Sequence, residues 1–153
     1  MALSYDDIRE SDGRTASYPI ANSQVIAVDD LVALDIATGY ARRLADTSGF
    51  EPIGRCIGFS DLDTANGTDT GDTSASPVPE VIVMIGREVL RGISVTGVSG
   101  QLDVGDPVYA SDHDSLNNNA PTTNIPAIGI IDRYHSGTTV DVRRYSMEDM
   151  RSE

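Results

Sequence analysis

The chain has 153 residues, with 24 acidic side chains against 11 basic ones and a formal charge of −13; every basic residue is Arg. At this length one domain is expected, burying roughly 70% of the surface of its unfolded chain without metal or disulfide staples. The negative charge disfavours nucleic acid and anionic membranes as partners, and no apolar run approaches the roughly 20 residues of a membrane-crossing helix.

The opening MALSYDDIRESDGR is acidic and lacks the apolar centre of a secretory signal. Cys56 stands alone, which excludes an internal disulfide framework and a cysteine-rich zinc site, and points to synthesis in a reducing cytoplasm. Gly, Pro, Asp, Ser and Thr punctuate short runs rich in Val, Ile and Tyr, the pattern of an all-β sandwich or barrel. No long period of 3.6 residues announces a major helix.

In chain order, residues 1–16 are polar with scattered Leu3, Tyr5 and Ile8, and are expected to be an arm, loose in the isolated chain. Gln24 to Val28 and Leu31 to Asp35 read as a hairpin about Asp29-Asp30. Thr38-Gly39 then turns the chain into a strand from Tyr40 to Leu44, on which Arg42 and Arg43 must face opposite sides. Pro52 to Phe59 is an apolar run whose Gly54 and Gly58 suggest tight packing or a bulge, with Cys56 as a small core residue. Residues 60–79 form the longest expected loop, with four Asp and no basic residue. Glu80 to Ile85 and Glu88 to Val95 read as a second pair about Gly86-Arg87, the first of them a central strand covered on both faces. Gly105-Asp106 turns into a short strand through Val108-Tyr109-Ala110, and a polar loop follows. Pro126 to Arg133 and Thr138 to Tyr145 close the domain as a hairpin about His135-Ser136-Gly137, with Val140 and Val142 on one face. Residues 146–153 are a polar tail or a single helical turn. The expected organisation is an arm (1–16), a barrel or sandwich (17–145) and a tail (146–153).

The residues nominate no catalytic machinery. G-x-S-x-G, G-x-x-x-x-G-K-[ST] and G-x-G-x-x-G are all absent, and without Lys there is no phosphate-binding ammonium. Neither His113 nor His135 stands in a context that nominates Cys56 or a Ser as partner. Asp61, Asp63, Asn66, Asp69 and Asp72 are hard oxygen donors suited to Ca²⁺, but they miss the EF-hand spacing and read as a solvated loop. Asp112-His113-Asp114 could hold a transition metal, yet adjacent residues rarely converge on one ion. With 24 acids, a glycosidase-like carboxylate pair cannot be singled out. No metal and no cofactor is therefore expected. Arg without Lys suits an interface-rich protein and fits a GC-rich genome equally well.

Four blocks in order resemble small tailed-phage capsid decoration proteins, also called cement or head-stabilising proteins. They are Asp30-Leu31-Val32-Ala33-Leu34-Asp35 with Thr38-Gly39-Tyr40-Ala41-Arg42; Pro52 to Gly58; Gly105-Asp106-Pro107-Val108-Tyr109-Ala110-Ser111-Asp112; and Ile128-Gly129-Ile130-Ile131 with Thr138 to Arg143. The resemblance covers roughly residues 18–145. It implies a β-domain with no enzymatic activity, made in the host cytoplasm, that sits on the outer surface of the phage head. It further implies a homo-oligomer, with a trimer favoured, that bridges major capsid proteins and touches neither nucleic acid nor membrane. Gly39, Tyr40, Gly58, Gly105, Asp106, Tyr109 and Gly129 are its fold-shaping positions. The arm, with Leu3, Tyr5, Ile8, Arg9 and Arg14, and the loop 60–79 are the expected capsid contacts, so deleting residues 2–14 should weaken head binding and spare the fold. Two other readings stand beside it. One is a surface-displayed carbohydrate- or host-binding module using Tyr5, Tyr18, Tyr134 or Tyr145; the other is a carboxylate hydrolase with a deep pocket.

Overall fold

The computed structural model describes residues 12–61, 67–119 and 125–151. It is an all-β fold of two curled five-stranded antiparallel sheets and one two-stranded ribbon. The first sheet has the order β1 (Thr15–Pro19), β7 (Glu80–Met84), β5 (Phe50–Phe59), β3 (Leu31–Asp35), β4 (Ala41–Arg43). Its last strand returns to its first: the Ala21 N–H donates to the Ala41 carbonyl at 3.0 Å. The second sheet has the order β10 (Leu116–Asn117), β9 (Pro107–Ala110), β11 (Gly129–Ser136), β12 (Thr139–Arg144), β8 (Glu88–Ser94). It too curls back, but among the described residues only Thr96 and Asn117 bridge the gap.

Each sheet encloses an apolar cluster. Val32, Ile53, Cys56, Val81 and Val83 fill the first, and Val95, Val108, Ile131, Val140 and Val142 fill the second. The apolar run of β3 serves both. Val32 points into the first cluster while Leu31 and Ala33 point into the second, as the two-residue period of a strand requires. Val81 and Val83 of β7 are fully buried, whereas Ile82 and Met84 are half-buried, so one face of this interior strand is better covered than the other.

The expected hairpins about Gly39 and Gly137 form as read, with φ of +80° and +56° at the two glycines. Two other expected pairs do not form. β2 (Val25–Ala27) pairs with β6 (Thr68–Thr70), inside the stretch read as a loop, and not with β3. Asp29 and Asp30 make a corner: the Asp29 N–H donates to the Cys56 carbonyl at 2.9 Å, and the Cys56 N–H to the Asp30 carbonyl at 2.8 Å. β5 thereby takes the place a partner strand would need. Likewise β7 and β8 belong to different sheets, and Gly86-Arg87 is a crossover.

Asp12 to Ala16, read as part of the arm, belong to the fold; residues 1–11 lie outside the described residues. β1 runs along β7 from Thr15 opposite Met84. Ahead of it, Asp12 accepts the Arg87 N–H at 3.1 Å, and Arg14 makes a two-point ion pair with Glu148 at 2.9 and 3.0 Å. The tail forms a short helix, α1 (Met147–Arg151), seated by Met150, which is buried in the second cluster.

Candidate interaction site

Where the second sheet fails to close, β8 and β10 diverge and leave a cleft of about 560 Å³. Leu31, Leu90, Ile93 and Leu116 give it apolar walls, and Asp29, Arg55, Glu88, His113 and Asp114 give it polar ones. β8 and the loop ahead of β10 supply opposite sides, and the Asp29 corner closes one end.

A buried charge network underlies this cleft. Glu88 Oε1 accepts from Arg55 at 2.9 Å, and its Oε2 accepts from Arg144 Nε and Nη2 at 3.0 and 2.7 Å. Arg144 also donates to the carbonyls of Met84 and Gly86, both at 2.8 Å, and of Tyr145 at 2.9 Å. Arg144 is 0% exposed. Burial lowers its pKa from the ordinary value, and the Glu88 carboxylate opposes that fall. Because Arg55 lies on β5 and Glu88 on β8, the network ties the two sheets together. Arg55 also reaches Asp29 Oδ1 at 2.6 Å.

On the opposite wall, His113 Nδ1 lies 3.1 Å from Asp30 Oδ1, while Asp30 Oδ2 accepts from Arg43 at 2.7 Å and from the Ala27 N–H at 2.8 Å. Arg42, facing the other way as expected, pairs with Asp35 at 3.1 Å. Asp112, His113 and Asp114 bring three donor atoms within 4.8 Å of one another, a convergence the sequence reading discounted. The Asp114 backbone N–H, at 3.0 Å from Asp112, holds the Asp112 carboxyl below its usual range. Asp63 and Asn66 lie outside the described residues; Asp72 is turned into its own loop by Ser74 at 2.7 Å.

Cys56 is buried and its thiol is pushed up to about 11 by that burial, so it stays protonated. His113 faces Asp30, and His135 faces Asp141 at 2.7 Å. Several carboxyls outside the cleft are held below their ordinary range. Ser99 and Gly100 amides do this to Asp103, the Ser74 hydroxyl to Asp72 and Arg14 to Glu148. Nor do the described tyrosines form an exposed platform. Tyr18, Tyr134 and Tyr145 are half-buried against the clusters, and the Tyr18 hydroxyl sits 3.4 Å from Met147 Sδ. Tyr5 lies outside the described residues, with Leu3, Ile8 and Arg9.

The fold-shaping positions are explained locally. Gly105 has φ of +94° and donates to the Ile131 carbonyl at 2.8 Å, and the Asp106 carbonyl accepts from the Ile131 N–H at 2.9 Å. A Cβ at Gly129 would meet the Arg143 carbonyl, so only glycine lets β11 and β12 approach there. Gly58 sits at the bulge where β5 slips against β7. Tyr40 and Tyr109 are half-buried. Leu102, which the sequence reading passed over, stands 98% exposed on the turn before Gly105.

No family model matches this chain, and no curated protein matches it. A comparison of folds finds similarity to a chain of the structure described as "The capsid of Myoviridae Phage XM1", with a TM-score of 0.48 and 16% identity over 86% of this chain and 82% of that one.

Proposed function

We propose that this chain is a non-enzymatic virion structural protein, which binds the outer surface of a phage head and holds neighbouring major capsid proteins together. The observation that carries the reading is where the four resembling blocks lie. They fall on the β3–β4 hairpin, on β5, at the Gly105 turn with β9, and on the β11–β12 hairpin, so they are the frames of both sheets. A small subunit present in many copies gains avidity when it bridges two or three partners at once.

The test is co-sedimentation of the purified chain with undecorated mature heads. Saturable binding that raises the heads' resistance to heat supports the proposal, and a trimeric mass in solution supports placement at three-fold positions. Absence of binding overturns it. The informative truncation removes residues 2–11, because Asp12 and Arg14 hold Arg87 and Glu148 and belong to the fold.

A further inference from the structure

The second sheet has one edge that the fold closes at both ends and leaves open between them. β8 is its last strand and pairs with β12 on one side only. The hydrogen bonds at its two ends show which way its backbone faces there. The Gly92 N–H turns towards β12 and reaches the Asp141 carboxylate at 2.9 Å. Arg87 turns the other way: its N–H donates to the Asp12 carboxylate at 3.1 Å and its carbonyl accepts the Asp12 N–H at 3.2 Å. At the far end the Thr96 N–H donates to the Leu116 carbonyl at 2.9 Å, and the Thr96 carbonyl accepts the Asn118 N–H at 3.1 Å. Alternation along a strand then points the backbone of Val89 the same way as Arg87, and that of Ser94 the same way as Thr96. Between them β8 carries two residues, Arg91 and Gly92, where the facing strand has only Asp141, and this bulge resets the parity. Along residues 89–94 no described element pairs with this side, and it fronts the cleft. The strand bulges at Arg91-Gly92, where Gly92 has φ of +62°, and residues 89–94 still span roughly 15–20 Å, close to the length of an ordinary strand.

The chemistry of the cleft narrows what could lie there. Leu90, Ile93 and Leu116 offer apolar contact. The lips carry Asp29 and Asp114, whose side chains are 75% and 69% exposed. The two arginines that line the cleft are both engaged, Arg55 by Asp29 and Glu88 and Arg91 by Asp141 at 3.6 Å. With a net charge of −13, a second copy would bring like charge to the same place. We propose that the open edge of β8 takes up an extended segment of a partner protein, with a basic side chain between apolar ones, as an added strand opposite residues 89–94. Backbone pairing would supply affinity, and the lip carboxylates would select the basic residue. The inference rests on the function proposed above only for the partner's being a virion protein.

The test uses the full chain, isotopically labelled, titrated with the acetylated and amidated peptide Thr-Val-Arg-Val-Thr and followed by amide shifts. Saturable shifts at residues 89–94 and at Leu116 are expected at millimolar peptide. N-methylation of the peptide backbone should abolish them. Replacing the peptide Arg by Glu, or Asp114→Asn in the protein, should weaken binding about two- to fivefold. No shifts, or equal binding of the N-methylated peptide, would overturn the proposal. So would slow hydrogen exchange at Val89 and Ser94 in the free chain, since a covered edge has no room for another strand. A failed titration leaves the head-binding result standing. Heads that do not bind, with peptide uptake intact, remove only the virion identity of the partner.

Discussion

Replacing Glu88 tests how far the two sheets depend on buried charge. Its two oxygens accept from Arg144 and Arg55, and Arg144 has no exposed surface through which water could take over. Glu88→Gln leaves that cation under-compensated in the interior, at an expected cost of about 3–5 kcal/mol. Removing both partners is normally milder, because a buried pair replaced by apolar residues of similar volume is often neutral. Here it should not be. Arg144 also serves the carbonyls of Met84, Gly86 and Tyr145 at 2.8, 2.8 and 2.9 Å. Each acceptor left unmet in the interior costs about 1–3 kcal/mol. The double variant Glu88→Leu with Arg144→Met is therefore expected to lie about 3 kcal/mol or more below the native chain. Urea unfolding of the native chain, both single variants and the double variant gives the cycle, with unchanged slopes as the check on two-state behaviour. A double variant within about 1 kcal/mol of native would refute the argument, because it would show that the carbonyls are met without Arg144.

Three further outcomes follow from named contacts. Cys56, buried with its thiol pushed up to about 11, should resist a thiol reagent at pH 8 until the chain is unfolded; reaction of the native protein at the rate of a free thiol would contradict this placement. Gly54→Ala should cost about 2 kcal/mol or more, because φ is +156° and the new Cβ would meet the Met84 carbonyl. Gly100→Ala, on extended backbone with open space around it, should stay within about 0.5 kcal/mol; similar losses in the two variants would dismiss the steric account. For Asp141, burial works to raise the pKa, but the Gly92 N–H, His135 and Arg91 outweigh it and lower the pKa. Its stabilisation is thus complete above the unfolded value of about 3.9 and is lost as the pH falls through the lower folded value. The thermal midpoint should drop below about pH 4, and less steeply in Asp141→Asn; parallel pH profiles would exclude the contribution.

What was legible in the sequence was the chemistry that acts between near neighbours. Thr38-Gly39 and Ser136-Gly137 announced their hairpins because a positive φ at the glycine is a local demand. Val140 and Val142 announced their face through alternation alone. The missed pairings were decided at a distance. Two short apolar runs around Asp29-Asp30 look like a hairpin, but the Asp29 and Asp30 backbones are claimed by Cys56, far along the chain. β6 carries no apolar residue and became a strand because β2, turned away by that corner, needed a partner. Arg144 was within reach of the same alternation that placed the valines: residues 140, 142 and 144 share one face, and all three are buried. An arginine at the third position reads as the end of the buried stripe. It is the point where the stripe changes from apolar packing to a satisfied cation.

That buried cation also bears on why the edge of β8 stays open. The strand is not held along its length by partners on both sides. It is held at its start by Glu88, locked between Arg55 and Arg144, and just past its end by Thr96, hydrogen-bonded to Leu116 and Asn118. A strand fixed at both ends cannot curl inward to satisfy its own outer edge, so residues 89–94, with their bulge at Arg91-Gly92, have no described partner on that side. Covering groups, such as a Pro or a charge turned into the gap, are the usual protection of such an edge. Here the protection is the bulge at Arg91-Gly92, the Arg91 charge at the cleft and the recess itself, whose lip carboxylates Asp29 and Asp114 repel another copy of this acidic chain. Loosening the Glu88 anchor should therefore do more than destabilise the crossover. In Glu88→Gln, the amide of Leu90, which alternation turns towards β12, should lose more protection than those of Val142 and Val108, because the strand is released at its start while the rest of the sheet keeps its ladder. Uniform acceleration across the sheet would mean that the anchor and the edge are independent.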